Sequence, residues 1–439
     1  MRDVIVLAII LGSSPICLFS PYFGILMWTW IAYFNPHRFT YGFAYHFPVA
    51  VPIAIPTILG TIFTRQRNRR ILTTEFILLL ALWAWFGVST YASMHNQVFA
   101  SHADDTRAAF IEVSKIMLMT CLTILVVTSE ERLRTLLTLT ALCFGALAIK
   151  GTVFGARTGG QFRFYGPPDS FLEDNNMLAL AMNMILPMMF FLAKSEPRRW
   201  LRRLLWVCFY SAIGGILLSY SRGALLGLVV TLGFIAVKSQ KKALAAVLMV
   251  VLAFLVLTFA PPAWMERMSN FFHGNLDESA ELRLNAWKYS WTLAMEYPLT
   301  GGGFETYTPE LYERFTPSLR FAGPHSIYFQ MLGEQGFVGL GLFLGLITAL
   351  LVGTQRLRRR ARGQPGFEWV ENYTQIIQIG LVAFLVSGAF LARAYFDLFY
   401  LFVASAVLLK ILYRKEAALQ AQARVAEPTP VPVAGTVYS

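Results

Sequence analysis

Apolar runs of about 20 residues recur along this chain between short polar interruptions, each long enough to cross a bilayer core. The runs are continuous rather than alternating, so they predict helices and not barrel strands. Spans are expected near 71–91, 109–129, 135–155, 175–193, 204–220, 224–237, 243–260, 326–353, 372–392 and 396–412. The first 64 residues are harder to divide. The stretch "NPHRFTYGFAYHFPVAVPIAIP" is rich in aromatics and prolines and reads as interfacial or partly re-entrant.

The polar interruptions carry topological information. Basic clusters stand at 65–70 (RQRNRR), 130–134 (EERLR), 196–203 (EPRRWLRR), 238–242 (KSQKK), 356–362 (RLRRRAR) and 413–416 (YRKE). Cytoplasmic loops are enriched in Lys and Arg, so these clusters are assigned to the cytoplasm. Pairs of spans separate neighbouring clusters, which keeps the parity consistent. With both termini cytoplasmic, residues 1–64 contribute two crossings, and the expectation is an all-α, polytopic membrane protein of about 12 helices. The loops at 92–108, 156–174, 220–224, 261–325 and 393–395 then face the other side. The longest, 261–325, contains "ESAELRLNAWKYSWTLAMEYP", whose Leu282, Ala286 and Tyr289 can share a helical face. The expected division is therefore 1–260 membrane helices, 261–325 a large helical outer loop, 326–415 membrane helices, and 416–439 a largely disordered cytoplasmic tail.

Composition supports the membrane reading: 56% of residues are hydrophobic and 14% charged, with a mean hydropathy of +0.54. The net charge of +12 is accounted for by the cytoplasmic clusters, so no nucleic-acid partner is inferred. Cys17, Cys121, Cys143 and Cys208 lie in apolar runs without metal-like spacing, and neither a disulfide nor a zinc site is expected. The first apolar run leads into a second without a small-residue cleavage site, so no cleavable signal peptide is expected.

Candidate chemistry collects on the outer side. Arg222 lies in the turn "LLSYSRGALLG", where an arginine near membrane level costs up to roughly 3 kcal/mol and marks function by default. Snorkelling to headgroups is its plainer explanation. Glycine there permits unusual backbone, and local amides can assist anion binding. Arg283, in "ELRLNAWKYS", shares a helical face with Trp287 one turn on, although a solvated helix arginine would look the same. Arg157 and Arg163 lie in the glycine- and proline-rich loop "GARTGGQFRFYGPPDSFLEDNN", as phosphate or sugar contacts or as ordinary loop charges. His325 opens the segment "HSIYFQMLGEQG". Three helical turns take about 10.8 residues, which would put Gly336 on its face. A helix cap is the alternative. Glu334, deeper still, needs a partner or water. Arginine forks suit phosphate oxygens and a departing pyrophosphate, and a histidine can take a proton from an attacking hydroxyl. Together these suggest a polytopic transferase using a diphosphate-activated lipid donor.

The "SYSRG" turn, "RLNAW" in the large loop, "PLTGGGFETY" and "HSIYFQMLGEQG" occur in an order that resembles the O-antigen ligase superfamily, over roughly 150–430. That superfamily includes ligases acting on lipid A–core and relatives that polymerise O-antigen or glycosylate proteins. The stretch "PYFGILMWTWIAYFNPHRFTYGFA" looks like a narrower group, described as O-glycosylation ligases of exosortase-type systems. The resemblance implies a metal-independent, cofactor-free GT-C-like glycosyltransferase of the bacterial inner membrane with its site facing the periplasm. It implies a glycan donor on undecaprenyl pyrophosphate, entering laterally from the membrane lipids, and a lipid A–core acceptor. By motif, Arg222 and Arg283 would bind pyrophosphate and His325 would act at the transfer step. Arg157 and Arg163 follow only by position. Three rivals remain: an O-antigen polymerase or protein O-oligosaccharyltransferase using the same donor; a lipid-linked sugar transporter, against which no internal repeat is seen; and a metal-dependent transferase using Asp104, Asp105, Asp169 or Asp174, whose spacing suggests no particular site.

Overall fold

The computed structural model describes residues 1–238 and 278–426, and all regular structure among them is helical. Among the described residues, seven helices are long and apolar enough to cross a membrane, and two shorter apolar helices, Val51–Phe63 and Arg222–Val237, accompany them. The chain is a helical membrane protein. The expected span at 243–260 and the boundary at 260/261 lie outside the described residues.

Helices α1 (Arg2–Phe19), α2 (Pro21–Phe34) and α3 (Val51–Phe63) form one corner. A single residue, Ser20, separates α1 from α2, and Pro21 starts α2 at the position where a missing N–H costs nothing. Leu7, Ile10, Met27, Ile31 and Ile53 give this corner its own small core. The main bundle follows: α4 (Thr74–Met94), α5 (Ala103–Val126), α6 (Glu130–Arg157), α7 (Asn175–Ser195), α8 (Arg199–Leu218) and α9 (Arg222–Lys238). After the undescribed segment come α10 (Glu278–Glu296) and α11 (Pro309–Phe315), then α12 (Ile327–Ala361), α13 (Glu368–Gly388) and α14 (Asp397–Ala426). Side-chain caps begin several of them. Thr73 accepts from the Phe76 amide, Ser129 from Arg132, and Asp174 from Asn176 and Met177. Helix α7 is buried along nearly its whole length and acts as the central post. The first half of α14, Leu398–Leu412, is still more fully enclosed, with only Lys410 partly exposed.

The two ends of the bundle differ chemically. At the basic end Arg134 pairs with Glu196 at 2.9 Å and Arg358 with Glu371 at 2.7 Å. Lys415 of α14 donates to the Thr128 carbonyl there at 3.2 Å, so the C-terminal helix finishes at this end. The N-terminus does not. The Ala44 amide donates to Asp3 at 3.1 Å, the Tyr45 hydroxyl donates to Asp169 at 2.5 Å, and Arg38 lies 3.6 Å from Asp169. Asp169 belongs to the 158–174 loop at the opposite, outer end. The N-terminus and the end of α14 therefore stand at opposite ends of the bundle, where one shared end was expected. Residues 1–64 run end to end three times rather than twice, because the aromatic segment 35–50 stays at the outer end and α3 returns. The tail also differs: helix continues to Ala426, and only residues 427–439 lie outside the description.

Candidate active site

The outer end is organised around a break in α12. Gly336 has φ 68° and ψ −171°, inside an otherwise helical run. A side chain there would collide with the Leu299 carbonyl, and L-residues disfavour the positive φ. The break frees the carbonyls of residues 333–335, which must find other donors. The "PLTGGGF" segment supplies them. Gly302 N donates to Gly333 O at 2.9 Å, Gly303 N to Glu334 O at 3.0 Å, and Phe337 N to Pro298 O at 2.9 Å. Trp85 Nε1 donates to Gln335 O at 3.0 Å, and Ser89 reaches Thr300 O and Glu334 O. Gly301, at φ 62°, has no room for a side chain against Gly333 O. The glycines are therefore a backbone splice between the outer loop and the broken helix. The side chain of Glu334 is buried among Tyr395, Gln330 and the Glu305 backbone.

The shared-face argument for His325 and Gly336 fails for the same reason. Helix α12 starts only at Ile327, and Gly336 interrupts it. His325 instead holds a left-handed backbone, φ 42°, just ahead of the helix, a strained state that its surroundings must impose. Trp287 does much of this. Its Nε1 donates to Pro324 O at 3.1 Å, and its indole stacks on Phe329 at 4.9 Å and 8°. Tyr307 anchors the same stretch, donating to Phe329 O at 2.8 Å and meeting Ser290 at 2.8 Å. The helical face expected for "RLNAW" is thus present. Trp287 shapes the His325 loop and Arg283 acts on His325 by charge. Of the expected buried stripe, Ala286 and Tyr289 are fully buried and Leu282 partly so.

The imidazole of His325 opens to solvent, yet its pKa is lowered. The surrounding walls strip away part of its water, the Arg283 guanidinium adds repulsion, and Asp174 works the other way. Asp174 caps α7 through one oxygen, Oδ1. Arg393, from the loop between α13 and α14, feels Asp174, Glu305 and Asp397, which oppose the lowering caused by its desolvation. Glu305 is pushed up by desolvation and Asp105, against Arg393. The structure therefore gathers His325, Arg283, Asp174, Arg393 and Glu305. Of these, Arg393 and Glu305 were not singled out by sequence reasoning, and Asp174 was considered only for a metal-dependent alternative. Arg393 carried a usable signal: an arginine in an outward apolar hairpin, the same argument that selected Arg222.

The other candidates sit on the adjoining turn. Arg222 begins α9 two residues after Tyr220, which carries the left-handed backbone, φ 57°. The unusual backbone belongs to Tyr220, not to Gly223, which lies within α9 against Phe390. Asn175 donates to Ser219 O at 2.6 Å and so ties this turn to the start of α7, beside Asp174. Arg163 is half-buried and acts on Tyr220 by charge, while Phe164 N donates to Leu218 O at 3.1 Å. Arg157 stands apart, exposed at the C-terminal end of α6, where a cation complements the helix dipole. The outward aspartates are dispersed: Asp169 meets Tyr45 and Arg38, Asp174 caps α7, and Asp104 and Asp105 begin α5.

Residues 206–344 match the family model described as O-Antigen ligase. That interval holds Arg222, Arg283, His325 and Gly336. Residues 1–197 match a family of unknown function, DUF5935. No curated protein matches the chain.

Proposed function

We propose that this chain, a member of the O-antigen ligase superfamily, is a glycosyltransferase that moves a glycan from undecaprenyl pyrophosphate to a hydroxyl of lipid A–core. The observation that carries the reading is His325, held in a strained backbone beside Arg283 and Asp174 at the outer end. The acceptor hydroxyl oxygen forms a bond to the anomeric carbon of the donor sugar. The bond from that carbon to the pyrophosphate oxygen breaks, and undecaprenyl pyrophosphate leaves. His325, kept neutral by its lowered pKa, accepts the hydroxyl proton. Arg222 and Arg283 bind the pyrophosphate and stabilise the departing charge. Arg163 extends that surface along the neighbouring turn, and Arg157 meets the glycan or headgroups at its edge. The site faces the periplasm of the inner membrane, and the donor tail stays in the bilayer. No metal ion or cofactor enters this scheme.

Purified protein, lipid-linked glycan and lipid A–core test the proposal, with chelator present. Wild type is expected to form product. His325→Ala should lose about a hundred- to ten-thousandfold in rate, and each arginine variant about a hundred- to thousandfold. Unchanged cell-surface O-antigen in both Arg222→Ala and Arg283→Ala, in a strain lacking its native ligase, would sink the reading. A second acceptor is favoured by one observation: the aromatic N-terminal stretch resembles O-glycosylation ligases, and its region matches a family without assigned function. A glycosylated protein, or a lengthened glycan ladder, in place of modified lipid A–core would select a protein ligase or a polymerase.

A further inference from the structure

A cavity of about 250 Å³ lies far from the outer site, lined by α4, α12 and α14. Helix α12 places it. From the Gly336 break to Arg356 is twenty residues of helix, about 30 Å, the thickness of a hydrocarbon core. The cavity therefore stands at the opposite membrane interface, among the basic clusters.

Its polar walls are cationic. Arg356 and Arg360 are four apart on α12, and Lys410 and Arg414 are four apart on α14, so each pair presents one face. All four line the cavity, and Glu75 is the one carboxylate that does. Glu75 is 1% exposed and already accepts from Lys410. Gly353 leaves the wall open for that pair, since any side chain there would meet both partners. Among the described residues no carboxylate pairs with Arg356, Arg360 or Arg414, whereas Arg358, on another face of the same helix, binds Glu371. Three exposed guanidinium groups are thus held together around one hollow. Their mutual repulsion calls for an anion, and their fork geometry fits phosphate oxygens.

The deeper part of the α12 lining is apolar. Val352 and Ala349 line the cavity one and two turns deeper than Arg356, and Val352 is exposed on the bundle surface. The volume is below the roughly 300–1,000 Å³ of a site enclosing a drug-sized ligand. It holds a headgroup and leaves a chain outside, along Val352. We propose that this cavity binds the phosphate headgroup of an anionic phospholipid in the leaflet at the basic end. A free phosphate shares the charge chemistry but makes no use of the apolar wall.

The test uses the full chain in a zwitterionic detergent. Short-chain phosphatidylglycerol, phosphatidylcholine and inorganic phosphate are titrated separately, with bound lipid counted by native mass spectrometry. Phosphatidylglycerol should saturate one site that phosphatidylcholine does not fill. Combined Arg356→Gln, Arg360→Gln and Arg414→Gln should weaken it on the order of a hundredfold. Combined Arg202→Gln, Arg203→Gln and Arg359→Gln removes equal charge outside the cavity and should leave it unchanged. Val352→Trp, which fills the apolar side while keeping every cation, should weaken phosphatidylglycerol alone. Equal binding of both lipids, or equal losses in the two arginine triples, overturns the site. Competition by inorganic phosphate at matching concentration overturns the lipid as its source.

Discussion

Trp287 holds Pro324: the indole Nε1 donates to the Pro324 carbonyl at 3.1 Å, one residue before His325. A side chain on α10 therefore sets the backbone of the proposed base. Trp287→Phe keeps an aromatic ring against Phe329 but removes the donor. A net neutral hydrogen bond is worth about 0.5–1.5 kcal/mol. If that energy positions His325, kcat should fall on the order of two- to tenfold with KM little changed. Equal losses in kcat and KM would place Trp287 in binding instead.

The pH dependence has a definite sign. Asp174 raises the His325 pKa, against the lowering by desolvation and Arg283. Asp174→Asn removes the charge and keeps a side chain able to cap α7. The imidazole should then lose its proton at lower pH, and the acidic limb of kcat/KM should move to lower pH. A limb moving upward, or not at all, would separate that limb from His325.

Gly336→Ala combines a left-handed φ with a collision against the Leu299 carbonyl. Strain of this kind costs about 1–3 kcal/mol before the clash. The variant should melt lower than wild type in detergent. Gly341→Ala is the matched control, with open space and ordinary helix around it, and should be neutral or slightly stabilising. Equal melting of the two variants would remove the splice from the stability argument.

Glu75 and Lys410 form a pair in which Glu75 is almost fully enclosed. Removing one partner strands a charge, and Glu75→Ala should destabilise by about 3–5 kcal/mol. Glu75→Met with Lys410→Met should recover most of that loss. Chemical denaturation of the two variants in one detergent decides it, and a double variant no better than the single would contradict the pairing.

The placement of the N-terminus can be read directly. Tyr41 is strongly exposed beside Arg2, and Lys415 is exposed at the other end. Tyr41→Cys and Lys415→Cys, in a background lacking the four native cysteines, should react with an impermeant thiol reagent from opposite faces of the membrane. Labelling from one face would restore an even number of crossings in residues 1–64.

Hydropathy and charge are sums over local sequence, so they were readable without a structure. The helical class, most spans, the basic end and the placement of Arg222, Arg283 and His325 at the end away from it followed from them. So did the Arg283–Trp287 face, because one turn of helix fixes it. The expectations that failed depended on contacts between distant segments. His325 and Gly336 were put on one face by assuming an unbroken helix, yet the break is stabilised by donors from residues 302 and 303 and from α4. The side of the N-terminus turned on Asp3 meeting Ala44, and on Arg38 and Tyr45 meeting Asp169. The site itself draws Asp174, Arg283, Glu305, His325 and Arg393 from five separate segments. Periodicity has no access to such meetings, because an orphaned carbonyl or a buried charge takes its partner from whatever the packing brings near.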